Sequence, residues 1–323
     1  VGGWIGTLAT SRDGGTGRKI RFAIVLLVAA ASCTGFAQAA VGDGLRQPQE
    51  TVFALAESFY GQGQYQDAVT EYKRYLFLAP DGELVDSAYH RIALCLREEE
   101  RWDESIALLD QSILLASSPV VRFERQCDVL ATMIAAGRYG TAEFRLARLH
   151  AGTQEGEAAE RHRSLDYYGV LLYVLTHRWE EAGETIGSIV AYEREHHTDE
   201  APRWEEVRQL VEDAAAAPRI SPQRARILSL FIPGGGQAYA GDGRSGLGAF
   251  VVNLASAGLA VYGLSQHRFL ETGLFLLYVA GRFYGGNLYN AEEAARSRNE
   301  RVDAEFTAVI LERVGGLSRA VAD

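Results

Sequence analysis

At 323 residues the chain has room for two domains, each large enough for its own core. Its 42 Asp and Glu against 32 Lys and Arg leave a formal net charge of −10, which argues against general nucleic-acid binding. With 47% hydrophobic and 23% charged residues it is too apolar to be disordered, and the apolar excess is concentrated after Arg226.

Residues 1–39 read as an N-terminal extension and an export signal. Arg18-Lys19-Ile20-Arg21 is basic, Phe22 to Ala31 is a short apolar run, and Ala37-Gln38-Ala39 offers small residues for cleavage after Ala39. The apolar run is too short for a membrane span. Cys33 suggests a rival, lipoprotein-type signal, but it follows Ala30-Ala31-Ser32 without the Leu such signals usually carry three positions before the cysteine. After cleavage only Cys95 and Cys127 remain, without the spacing of a redox pair; they are expected as two buried thiols, with a disulfide as the alternative in an oxidising compartment.

Residues 48–217 carry a repeated pattern. Small Ala56 and Ala68 would let two antiparallel helices approach closely, with Phe59 and Tyr72 filling the space between them. Gly63 belongs in the connecting turn, and Pro80 ends the second helix. Tyr65, Trp102, Tyr139 and Trp179 each open a second helix, at intervals of 37, 37 and 40 residues. They head the phrases GQYQDAV, ERWDESI, GRYGTAE and HRWEEAG. The pattern resembles the tetratricopeptide repeat, although the usual period is about 34 residues and Ser105 stands where the second unit should carry Ala. The resemblance implies an α-solenoid of about four repeats, whose groove binds a protein or peptide partner rather than doing chemistry. Counted at helical spacing, the groove-facing positions are Phe53, Glu57, Tyr60, His90, Arg97, Glu98 and Tyr167. The segment Ala151 to Ala159 stretches the start of the fourth repeat, and Trp204 to Ala217 reads as a capping helix between Pro202 and Pro218. His196-His197-Thr198-Asp199-Glu200 places its histidines on different sides of a helix and reads as a solvated helix end, not a metal site.

Residues 220–290 form the next unit. Pro233-Gly234-Gly235-Gly236-Gln237-Ala238-Tyr239-Ala240-Gly241 lacks the Gly-Lys-Ser/Thr of a phosphate loop, and a dinucleotide fingerprint would need a glycine where Tyr239 stands. No nucleotide or other cofactor is expected. Eighteen uncharged residues run from Leu247 to Leu264, and a second apolar run spans Gly273 to Ala280. The first meets the lower limit for a span; the second does so only if Arg282 and the following Tyr/Gly-rich residues are included. Together they predict a membrane hairpin within residues 227–289, with Gln237 and Tyr239 at the lipid–water boundary. Arg282 is expected either at the interface or paired with Glu271 or Asn253. The unit resembles a bacterial membrane-domain family of unknown function with the pattern S-x-x-x-P-G-x-G-Q-x-Y-x-G. The matching residues are Ser229, Pro233, Gly234, Gly236, Gln237, Tyr239 and Gly241, closed by Tyr284, Asn287, Tyr289 and Asn290. Residues 291–316 read as a separate charged helix ended by Gly315-Gly316.

The sequence thus predicts an all-α protein, a helical-hairpin solenoid followed by a hydrophobic membrane hairpin. The expected role is a non-enzymatic interaction scaffold of the bacterial cell envelope, exported so that the repeats lie in the periplasm. The alternatives are a membrane-active component, such as a small transporter or channel subunit, and a soluble protein in which residues 247–284 are core.

Overall fold

The computed structural model describes residues 48–152, 158–196 and 199–320, so the expected signal, its cleavage site and Cys33 lie outside the described residues. Among the described residues the fold is all-helical, without strands. It divides into two compact units, one running to Glu212 and taking in the C-terminal end from Ala308, the other Asp213–Thr307.

The first unit is repeat-like. Helices α1 (Pro48–Gly61), α2 (Tyr65–Leu78), α3 (Val85–Glu98), α4 (Trp102–Leu115), α5 (Pro119–Ala135), α6 (Tyr139–Gly152), α7 (Ala158–Leu175) and α8 (Trp179–Glu195) each pack on their sequence neighbour. Within each pair the connection is the same turn. Gly63, Glu100, Gly137 and His177 stand at φ of 73°, 60°, 73° and 58°, each two residues before the aromatic that opens the second helix. The next residue's N–H reaches back five residues: Gln64 to Phe59, Arg101 to Leu96, Arg138 to Met133 and Arg178 to Tyr173, at 2.8–2.9 Å. This left-handed cap satisfies carbonyls that the helix end leaves unpaired. Ala56, Ala68 and Tyr72 are fully buried between α1 and α2, as the small–large pattern requires.

Contacts one repeat apart join like helices to like. On the first helices, Arg91 pairs with Glu57 at 2.9 Å, His90 meets Asp128, and Arg161 lies 5.3 Å from the ring of Phe123. On the second helices, Arg138 pairs with Asp103, Arg145 with Asp110 and Arg178 with Glu143. The second-helix pairs are largely solvent-facing and contribute about 1 kcal/mol each at most, whereas His90 and Asp128 are buried. The solvent-facing pairs fix register more than they stabilise. Helix α9 (Ala201–Ala216) buries Trp204, Val207, Val211 and Ala214 along one side.

The second unit begins with α10 (Pro222–Phe231), capped by Ser221, whose hydroxyl accepts from Arg224 N at 3.3 Å, with Pro222 in the first turn. The short α11 (Gly235–Tyr239) leads to α12 (Gly243–Ser265), capped by Asp242. The chain then returns through α13 (Phe269–Phe275), a π-helical turn over Leu276–Ala280, and α14 (Gly281–Ala320). Two expectations are corrected here. Among the described residues α12 alone is long and apolar enough to cross a membrane; the second apolar run continues through the π turn without a break in the helix and merges into α14. Nor do Gly315-Gly316 end the last helix: it is continuous from Gly281 to Ala320, and its Ile310, Leu311, Val314 and Leu317 are buried in the first unit.

Candidate functional site

Of the seven positions counted as groove-facing, Glu57, Tyr60, His90 and Arg97 lie along the seam between successive first helices, with Glu98 beside Arg97, whereas Phe53 faces the second helix of its own pair and Tyr167 faces Trp204 of α9. Phe53 is interior to the first pair, its ring edge-on to Tyr72 at 5.4 Å and to Tyr75 at 5.2 Å. Glu57 accepts a 2.6 Å bond from the Tyr72 hydroxyl and pairs with Arg91. Tyr60 packs against Tyr65 and under the Arg91 guanidinium, and burial pushes its hydroxyl up to about 12. Tyr167 lies edge-on to Tyr168 and Trp204. Phe53, His90 and Arg97 therefore do not stand on an open groove. Helical spacing locates the strip but not its neighbour one repeat away.

At the centre of that seam is a buried polar cluster. His90 Nε2 lies 2.6 Å from Asp128 Oδ2, and Arg125 Nη1 lies 2.5 Å from His90 Nδ1. A guanidinium only donates, so Nδ1 must accept, and the imidazole is neutral with its proton on Nε2 facing Asp128. Burial holds the His90 pKa below its ordinary value even though Asp128 favours the charged form. Arg97, 1% exposed, reaches Glu98 Oε1 at 3.4 Å and Asp128 Oδ1 at 3.9 Å. Burial raises the Glu98 pKa against the pull of Arg97. Cys95 and Cys127 are both free and buried, and burial pushes the Cys95 thiol up to about 12, which makes it a poor nucleophile.

The glycine motif folds into a polar fastener. Ser229, Gln237 and Asn287 are each at most 3% exposed and bond to one another. The Ser229 hydroxyl donates to Gln237 Oε1 at 3.0 Å and accepts from Gly236 N at 2.9 Å. Asn287 Oδ1 accepts from Gly234 N at 2.8 Å and from Gln237 Nε2 at 3.2 Å, while its Nδ2 donates to the Ser229 carbonyl at 3.1 Å. Beside it the Tyr284 hydroxyl donates to the Leu230 carbonyl at 2.5 Å. The glycines are needed for close approach. A Cβ on Gly234, already at φ 86°, would collide with the Gly246 carbonyl, and one on Gly236 with the Ala225 carbonyl. Pro233 lines the cleft described below, and Gly241, at φ 88°, makes the turn into α12. Gln237 is thus an internal strut rather than the boundary residue the sequence suggested; Tyr239 is 40% exposed. Both bonds of the Ser229 hydroxyl are to amides rather than to a base, so the geometry fastens and does not activate.

An open cleft of about 460 Å³ lies against the π turn, walled by Phe250, Leu254, Leu276 and Ala280 with Asn253, Ser256 and Tyr284 as its polar members. Arg282 is exposed, and Asn253 donates within its own helix to Ala249 O at 2.8 Å, so neither suggested partner pairing forms. His196 bonds back to Tyr192 O at 2.9 Å; His197 and Thr198 lie outside the described residues. Among the described residues no group of three His, Cys, Asp or Glu is placed to hold a metal ion.

Two features escaped sequence reasoning. Phe77 and Leu114, 85% and 83% exposed, occupy the same position near the ends of successive second helices. Their signal was their shared offset from Tyr65 and Trp102. The other is the His150–His162 stack, with ring centroids 5.4 Å apart and Asp166 3.4 Å from His150. Comparison of the chain with protein-family models, with curated proteins and with solved structures finds no match.

Proposed function

We propose that the chain is a non-enzymatic interaction scaffold held at a membrane. In this reading the first unit is a tetratricopeptide-like solenoid that takes a protein or peptide partner, and residues 227–289 sit in the bilayer. The observation that carries it is the apolar surface of the second unit. Leu254, Leu259 and Val261 on α12 and Leu270 on α13 are 60–77% exposed, and the apolar α12 is almost wholly unburied. Soluble monomers rarely expose contiguous apolar patches beyond a few hundred Å². Support for the solenoid comes from the recurring left-handed turns and the like-on-like contacts. The partly exposed Glu57, Tyr60, Glu98 and Tyr167, with Phe77 and Leu114, are the side chains that would meet a partner. Export through residues 18–39 would place the repeats in the periplasm of a bacterial envelope.

The test is alkaline carbonate washing of membranes carrying the full chain or its Leu254→Arg/Leu259→Arg variant. Both positions are exposed, so a soluble fold would tolerate arginine there, whereas a bilayer-embedded helix would lose about 2.5–3.5 kcal/mol per arginine. Wild type retained and variant released supports the reading; wild type released in the wash sinks it. A second reading, a small transporter or channel subunit docked through its repeats, draws on the cleft at the π turn, because such turns are frequent at functional sites. Solute flux into vesicles that Asn253→Leu abolishes would favour it.

A further inference from the structure

One end of the second unit, away from the His267-Arg268 turn in the fold, reverses the charge of the molecule. Ala225, Ala240, Ala291 and Ala295, each at most 2% exposed, form a small cluster. They bring together the start of α10, the loop before α12 and the middle of α14. In residues 219–245 and 291–303, seven arginines face five carboxylates, in a chain whose overall charge is −10, and one of the seven, Arg219, is held by Asp303 at 2.6 Å. Those carboxylates are partly committed. Asp242 caps α12, and Glu292 is shared by Arg226 at 3.7 Å and Arg296 at 2.6 Å. Arg298 bonds to the Ala240 carbonyl at 3.4 Å, which ties α14 to the loop. Arg224 and Arg244 are exposed and have no partner among the described residues. Directly beyond the arginines lie the exposed Leu228, Phe231 and Ile232 of the α10 end and Leu247 of α12.

We propose that this end is a cationic collar that binds the headgroups of anionic phospholipids where the apolar body enters the bilayer. The inference rests on the membrane reading above. A guanidinium presents a planar fork of donors that matches a phosphate in two-point fashion, and its apolar stem lies well against hydrocarbon while the head stays in the polar layer. The continuity of the arginines with exposed Leu228, Phe231 and Leu247 selects a lipid surface over a nucleic-acid backbone, which offers no apolar counterpart. The field of an anionic surface rewards each arginine by about fivefold in partition, and this falls off within a Debye length.

The experiment is flotation of the purified full chain with vesicles of phosphatidylcholine alone and of phosphatidylcholine doped with phosphatidylglycerol. The wild type floats with both and at least about tenfold more tightly with the doped vesicles, an advantage that shrinks as salt is raised. Arg224→Gln/Arg244→Gln loses most of that advantage, and Arg224→Lys/Arg244→Lys keeps it. Because both side chains are exposed and unpaired among the described residues, folding is not at stake in either variant. Failure to float with either vesicle overturns the membrane reading itself. Equal flotation with both, or an advantage that survives the glutamine variant, overturns the collar and leaves the membrane reading standing.

Discussion

His90 shows how much one buried side chain can be asked to do. Its ring is held between a cation that must donate to Nδ1 and a carboxylate that accepts from Nε2. Burial disfavours the charged ring, and protonation would also point a second N–H at Arg125, so the folded pKa lies below the ordinary 6.5. The group therefore adds stability that is fully present above the unfolded pKa and is lost as pH falls through the folded one. Lowering the pH from 8 to 5 is expected to destabilise the first unit, and His90→Gln, which cannot take up that proton, is expected to flatten the dependence. Denaturation midpoints across that range check it; equal slopes for both proteins would remove His90 from the explanation. Asn287 plays the corresponding part in the second unit, with no charge involved. Asn287→Ala leaves the Gly234 N–H without an acceptor in a buried place, while the Gln237 amide keeps only the main-chain carbonyl of residue 287 at 3.2 Å. An orphaned donor costs about 1–3 kcal/mol. By loosening α10, the variant should let trypsin cleave after the already exposed Arg224 and Arg226 in detergent at concentrations the wild type resists; unchanged digestion would mean the fastener is ornamental.

The turn is the element that organises the repeats, and it tolerates two residues it does not favour. Left-handed backbone costs an L-residue roughly 1–2 kcal/mol and glycine almost nothing. Gly63 and Gly137 follow that rule; Glu100 and His177 do not. Glu100→Gly should therefore stabilise the first unit by about 0.5–1 kcal/mol, with the reverse sign for Gly137→Glu. The first would raise the melting temperature by a few degrees and the second would lower it, and a fall for Glu100→Gly would show that its side chain makes up for the strain. This turn was legible in the sequence because it is local. An aromatic two residues after the turn recurs with every repeat, and the small residues at Ala56 and Ala68 follow from helices in close contact. The seam was not legible for the opposite reason. Arg91 and Glu57, or His90 and Asp128, come together only after two helices have been placed side by side. Counting along one helix therefore put His90 and Arg97 on a surface that the next helix covers. The glycine motif was half legible. Its members, down to Ser229 and Asn287, stood out as a pattern, but whether Gln237 faced lipid or protein depended on a helix 50 residues away.

At the scale of the whole molecule the chain does not follow its apparent order. Sequence composition separates repeats, apolar unit and charged tail in succession, yet the end of α14 rejoins the first unit. Nothing local announces this, because Ile310, Leu311, Val314 and Leu317 are an ordinary amphipathic spacing that fits any apolar partner. The consequence is that removing the tail is not a neutral truncation. Ending the chain after Thr307 deletes no repeat, but it withdraws four buried aliphatic side chains, each worth about 1.5–3 kcal/mol of burial, from the unit that contains the repeats. The expected outcome is a first unit whose unfolding, followed by the fluorescence of Trp102, Trp179 and Trp204, shifts downward by about ten degrees or more. Substituting Ile310 and Val314 by Ala within the full chain should reproduce up to about half of that shift, because the loss comes from burial rather than from chain length. The exposed Val309→Ala should not. If the shortened chain and the double variant both unfold where the wild type does, the last helix is a passenger, and the repeats close their core without it.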